Sequence, residues 1–83
     1  MTVTKFGFTI TADLHGMTVQ TAKKELERLI TTCDKSVKEI DVVHGYSGGT
    51  ALQTMVRKDL KHKRIVRKIL SMNQGVTTLV IQP

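Results

Sequence analysis

The apolar positions of the chain switch between two periods. From Thr4 to Leu14, Phe6, Phe8, Ile10, Ala12 and Leu14 alternate with Thr9, Thr11 and Asp13. Period two predicts one extended strand, apolar on one side and polar on the other. Gly7 marks a bulge or a ragged start. Asp13 and His15 share the polar side, so a carboxylate and an imidazole leave the strand end together. From Val19 the spacing becomes helical. Val19, Ala22, Leu26, Leu29, Ile30 and Cys33 fall on one face, with Gln20, Lys23, Lys24, Glu27 and Arg28 outside. Thr18 is placed to cap this helix, and Met17 to pack against its first turn. Thr31-Thr32 and Asp34-Lys35-Ser36 end it.

Ile40, Val42 and Val43 mark a short, buried strand from Glu39 to His44. Gly45-Tyr46-Ser47-Gly48-Gly49-Thr50 is the loop after it. Leu52, Met55, Val56 and Leu60 form the apolar stripe of a second helix over 50–61, capped by Gly49 or Thr50. Strands follow over 65–72 and 76–82. Asn73-Gln74-Gly75 between them suits a hairpin turn with glycine at positive φ. The order is βαβαββ. Right-handed crossovers would place both helices on one face of the sheet. The short hairpin makes the last strand antiparallel to its predecessor. The expected fold is a two-layer α/β sandwich with a mixed four-stranded sheet.

Composition narrows the class. With 83 residues, 40% hydrophobic and 24% charged, the chain makes one small domain with a modest core. Its single cysteine, Cys33, excludes an internal disulfide and a cysteine zinc site, and its position makes it a small core residue. No run approaches the ~18 apolar residues of a membrane span. The first residues form no apolar signal segment, and a cytoplasmic location is the expectation. The net charge of +6 and pI near 9.8 favour a polyanionic partner, nucleic acid above all.

The candidate chemistry lies at two strand ends. His15-Gly16 and His44-Gly45 occupy equivalent places in successive strand-to-helix units, at the sheet edge where α/β ligands bind. Imidazoles titrate near neutrality and suit acid–base work; Asp13 can orient one or hold a divalent ion. Two histidines and a carboxylate also match a zinc site by residue type, but no close ligand pair anchors one. Gly45, Gly48 and Gly49 would let backbone approach a phosphate, and N–H groups at the helix start attract anions. Arg57, Lys58, Lys61, Lys63 and Arg64 follow. Arg57, Lys61 and Arg64 share one side if the helix extends that far, and such a surface can track a nucleic-acid backbone. Tyr46 is the aromatic expected to be exposed, placed to stack one base. Phe6 and Phe8 are expected in the apolar set.

Asp-Leu-His-Gly, a helix, Ile-Asp-Val-Val-His-Gly, a glycine loop and Thr-Ala-Leu together resemble the small MutS-related (Smr) domain, from about Ile10 to Ile81. The family's leading motif, Leu-Asp-x-His, falls on residues 12–15, with Ala12 in place of leucine and Asp13 and His15 matching. Its His-Gly-x-Gly motif starts at His44-Gly45, with Ser47 in place of the last glycine. The resemblance implies a fold like the C-terminal domain of bacterial translation initiation factor three, and the chain, starting at Met1, is expected to be the stand-alone short form of a domain that often ends larger proteins. It also implies nucleic-acid binding, often with nicking endonuclease or endoribonuclease activity.

On that reading His15 and His44 serve as base and acid. Asp13 orients a histidine or, for DNA, holds Mg²⁺; RNA offers its own 2′-hydroxyl and needs no metal. The alternative is a DNA- or RNA-binding module without catalysis, or a domain docking on ribosomes or repair proteins. The expected assembly is a monomer or weak homodimer, since no apolar stripe beyond the core faces is foreseen.

Overall fold

The computed structural model describes residues 1–45 and 50–83. Its elements are β1 (Thr2–Phe6), β2 (Thr9–Asp13), α1 (Val19–Thr32), β3 (Glu39–Val43), α2 (Ala51–Thr54, continuing as a π-helical segment Met55–Asp59), β4 (Ile65–Leu70) and β5 (Val76–Ile81). They form a mixed five-stranded sheet of order β1-β2-β3-β5-β4. β2 and β3 are parallel; every other neighbouring pair is antiparallel.

The expected four-stranded sheet is therefore corrected to five strands, in the order ββαβαββ. The first predicted strand is a hairpin, turned at Gly7-Phe8. Gly7 has φ +61° while no described non-glycine residue is positive, the φ pattern of a type II′ turn. A two-residue loop pairs Phe6 with Thr9 and so reverses which parity faces inward. Ile10 and Ala12 are buried, whereas Phe6 and Phe8 are exposed.

α1 forms as its spacing dictates. Ala22, Leu26 and Ile30 are fully buried. Burying each of the larger two contributes about 1.5–3 kcal/mol. The Thr18 hydroxyl accepts the Thr21 N–H at 3.2 Å, a cap typically worth about 1 kcal/mol. Met17 and Cys33 pack against the core, partly buried. The sheet contributes Ile10, Ala12, Ile40, Val42, Leu79 and Ile81, and α2 contributes Met55 and Val56, to the same cluster. Both helices thus cover one face. The other face carries Thr9, Thr11, Asp13, Glu39, Asp41 and Thr78, and the Thr78 hydroxyl donates to Asp41 at 2.7 Å.

The second helix ends at Asp59, and Leu60 is already extended. Arg64 lies outside it, so the expected row of Arg57, Lys61 and Arg64 does not form. Arg64 is 8% exposed. Its guanidinium donates to the carbonyls of Ile30, Cys33 (3.1 Å) and Gln82 (2.8 Å). It closes the end of α1, where carbonyls lack helical partners. His62 Nδ1 accepts the Arg64 N–H at 3.1 Å, so its Nε2–H is the donor to Thr31 Oγ1 at 2.9 Å.

Candidate functional site

The parallel β2–β3 pair brings the two motifs together. The register sets Asp13 opposite Val43, and the ladder continues one step as Leu14 N–H donates to the Val43 carbonyl at 2.9 Å. Both strands therefore end at the same level. A shallow cavity of about 160 Å³ opens there, lined by Asp13, His15, Val43, His44 and Gly45. Its size suits a phosphate-sized group.

Each polar member is held differently. Asp13 is half-buried, and its Oδ1 accepts the His15 backbone N–H at 2.9 Å. The carboxylate thus fixes the turn rather than the His15 ring, and no described residue donates to its other oxygen. The His15 side chain is exposed. His44 is 8% exposed, and both its ring nitrogens are occupied. Nδ1 lies 2.9 Å from the Gly45 carbonyl, which can only accept, so Nδ1 carries the proton. Nε2 is 2.8 Å from the buried Thr77 hydroxyl. That oxygen accepts Arg57 Nε–H at 2.7 Å, so its own proton goes to His44 Nε2. Burial, with the Arg57 charge adding to it, pushes the His44 pKa below its ordinary value; the Gly45 bond opposes this. His44 is a neutral, fully bonded imidazole, and His15 is the histidine of the pair with an exposed ring.

The backbone supports the same corner. The Gly75 carbonyl accepts both His44 N–H (2.9 Å) and Gly45 N–H (3.0 Å). Gly75 does not take the positive φ expected of it; Gly45 does, at +71°. What Gly75 provides is close approach, since a Cβ there would stand a tight 3.3 Å from Gly45 Cα and from Asn73 Oδ1.

The basic residues divide. Arg57, in the π-helical segment, is half-buried and also donates through Nη2 to the Val76 carbonyl at 3.1 Å. Lys58, Lys61 and Lys63 are exposed, whereas Arg64 is inside. Thr50 precedes α2 but makes no side-chain capping bond. Tyr46, Ser47, Gly48 and Gly49 lie outside the described residues. Thr77 is a member of the site that sequence reasoning passed over. Its signal was a hydroxyl at an inward position of β5, which must find a partner when buried.

The donor set bears on a metal. Among the described residues no group of three or more His, Cys, Asp or Glu side chains could hold an ion. Asp13 alone offers a carboxylate oxygen to the cavity. That fits a Mg²⁺ shared with substrate oxygens and not a protein cage.

Five strands under two helices, with an Asp-x-His turn beside a His-Gly turn at adjacent parallel strand ends, define a small α/β domain with a phosphate-sized pocket. Comparison with family models matches the Smr domain over residues 12–78. The chain belongs to the Smr domain family, which is a nucleic-acid-binding one. No curated protein and no solved structure matches. No helix among the described residues is long and apolar enough to cross a membrane.

Proposed function

We propose that the domain is an endonuclease acting on DNA or RNA at the Asp13–His15–His44 pocket. The observation that carries the reading is the convergence of both His-Gly turns on one phosphate-sized cavity. His15, exposed at the rim, takes the proton from the attacking oxygen, the 2′-hydroxyl in RNA or water in DNA; as that oxygen bonds to phosphorus the bond from phosphorus to the leaving sugar oxygen breaks, and the leaving oxygen takes its proton from solvent or from the His15 imidazolium. Asp13 sets the His15 turn and, with DNA, offers an oxygen to a Mg²⁺ that would stabilise charge on the phosphate. His44 is a positioning residue; its Nδ1–H donates to the Gly45 carbonyl and orients that peptide at the edge of the pocket. That loop, from Gly45 to Thr50, with Arg57, Lys58, Lys61 and Lys63, holds the phosphodiester backbone. Arg64 has no part in binding, because its side chain is buried, with Nε and Nη1 donating to carbonyls inside the fold.

The test compares the parent with His15→Ala on labelled single-stranded RNA and supercoiled DNA, with Mg²⁺ or with chelator. Cleavage by the parent alone is expected; undiminished cleavage by His15→Ala refutes the assignment. The fully bonded state of His44 favours a second reading, a binding module without turnover. Salt-sensitive binding with no cleavage in any lane decides for it.

A further inference from the structure

We propose that the tip of the β1–β2 hairpin, Phe6-Gly7-Phe8, is a stacking site for unpaired bases of single-stranded nucleic acid. The inference rests on the nucleic-acid binding of the Smr domain and not on cleavage.

Phe6 and Phe8 are the only phenylalanines in the chain, and they are 88% and 62% exposed. The core is complete without them. Their display is on a fixed base, since the Phe8 carbonyl accepts the N–H groups of Lys38 (2.8 Å) and Glu39 (3.3 Å) at the start of β3. Such a tie holds the tip against the sheet, so the rings are not those of a fraying end. Lys5 precedes the tip and stands near the Asp34 carboxylate, and Lys38 and Glu39 lie on the backbone that bonds Phe8, so the charges known beside the tip are two of each sign. The strand register links the tip to the pocket. Phe6 pairs with Thr9, Thr4 with Thr11 and Thr2 with Asp13, so threonine hydroxyls lead along one sheet face from the ring to Asp13. At ~3.3 Å per residue the path is about 13 Å, short enough for one oligonucleotide to reach both ends.

The area argues against a protein occupant. Two phenylalanines present at most about 200 Å² each, roughly half the ~800 Å² per partner of a stable interface. Stacking of a base on an aromatic ring needs no more than the ring, and it accepts any base because all have a π-face. Glu39 and Asp41 on the neighbouring strand disfavour phosphates over the sheet centre, which leaves the backbone to the β1 side and the bases to the rings.

The experiment measures affinity by fluorescence anisotropy for a labelled oligouridine and for a duplex of equal length. The Phe6→Ala/Phe8→Ala protein should lose about tenfold or more in single-strand affinity. Duplex affinity, set by phosphate contacts, should stay within about twofold. Phe6→Tyr/Phe8→Tyr should bind as the parent does, while Phe6→Leu/Phe8→Leu, apolar but without a π-face, should not. Circular dichroism checks that each variant is folded. Equal losses on both ligands, or parental affinity in the leucine protein, overturn the proposal. A parent that sediments as a dimer and becomes a monomer in the alanine protein also overturns it and assigns the tip to a second copy. A parent that binds neither ligand overturns it together with the binding it rests on. A parent that binds single strands through the rings yet never cuts them supports the stacking site and refutes only the nuclease.

Discussion

Replacing Thr77 with valine isolates the bonds behind His44. Valine keeps the shape and burial of threonine but has no hydroxyl. Thr77 is fully buried, and its oxygen links Arg57 Nε at 2.7 Å to His44 Nε2 at 2.8 Å. The variant strands two polar groups at once. An unsatisfied buried group costs about 1–3 kcal/mol, and Arg57, half-exposed, recovers part of its share by hydration. The sum is about 2–4 kcal/mol. For a domain of this size each kcal/mol lowers Tm by roughly 4–8 °C, so a fall of about 10–25 °C is expected. Thr77→Ser controls for packing, because it keeps the hydroxyl and loses one methyl, about 1 kcal/mol. Thermal and urea unfolding, followed by far-ultraviolet circular dichroism, read both. Valine must be clearly less stable than serine. A valine protein as stable as the serine protein refutes the hydrogen-bond reading and reduces Thr77 to core filler.

Four further outcomes follow from the structure. The His44 pKa is held below its ordinary 6.5, so the unfolded chain takes up protons that the folded one refuses. That contribution is fully present above about pH 6.5 and fades as pH falls toward the folded-state pKa; urea midpoints between pH 7.5 and 5 should drop, and less so in His44→Asn. Arg64→Met should cost about 2–4 kcal/mol by stranding the carbonyls at the end of α1, while Lys61→Ala shifts stability by less than about 0.5 kcal/mol. Lys61→Ala should instead lower the salt-dependence slope of nucleic-acid binding by about 1. Gly75→Ala should cost about 1–3 kcal/mol, read by urea unfolding, because its Cβ would press on the Gly45 backbone.

What the sequence made legible was what local periodicity encodes. The α1 stripe, the Thr18 cap and the positions of β3 and β5 are each written within a few residues, whereas β3, read as mostly buried, buries only alternate residues. Also legible was the meeting of Asp13, His15 and His44 at one sheet edge, because adjacent parallel strands end together. The hairpin was hidden by its own turn. Phe6, Phe8 and Ile10 keep an unbroken alternation, yet a two-residue loop reverses the face, and only Gly7 marks the break. Arg64 read as one more surface charge in a basic run, since nothing nearby in sequence tells of the α1 carbonyls it reaches from more than thirty residues away. Arg57 and Thr77 likewise meet only through the fold, one from the π-helical segment and one from β5.

The position of β5 has a consequence for how the domain comes off the ribosome. It is the last strand in chain order, yet it lies inside the sheet, between β3 and β4. Until it emerges, β3 has a bare inner edge, β4 has no neighbour and His44 lacks its hydroxyl partner. Pairing cannot simply grow outward strand by strand as synthesis proceeds. A nascent chain stalled before Val76 would hold every residue of the pocket but lack the strand that pairs with β3 and bonds His44, so assembly of the site waits on translation of the closing strand.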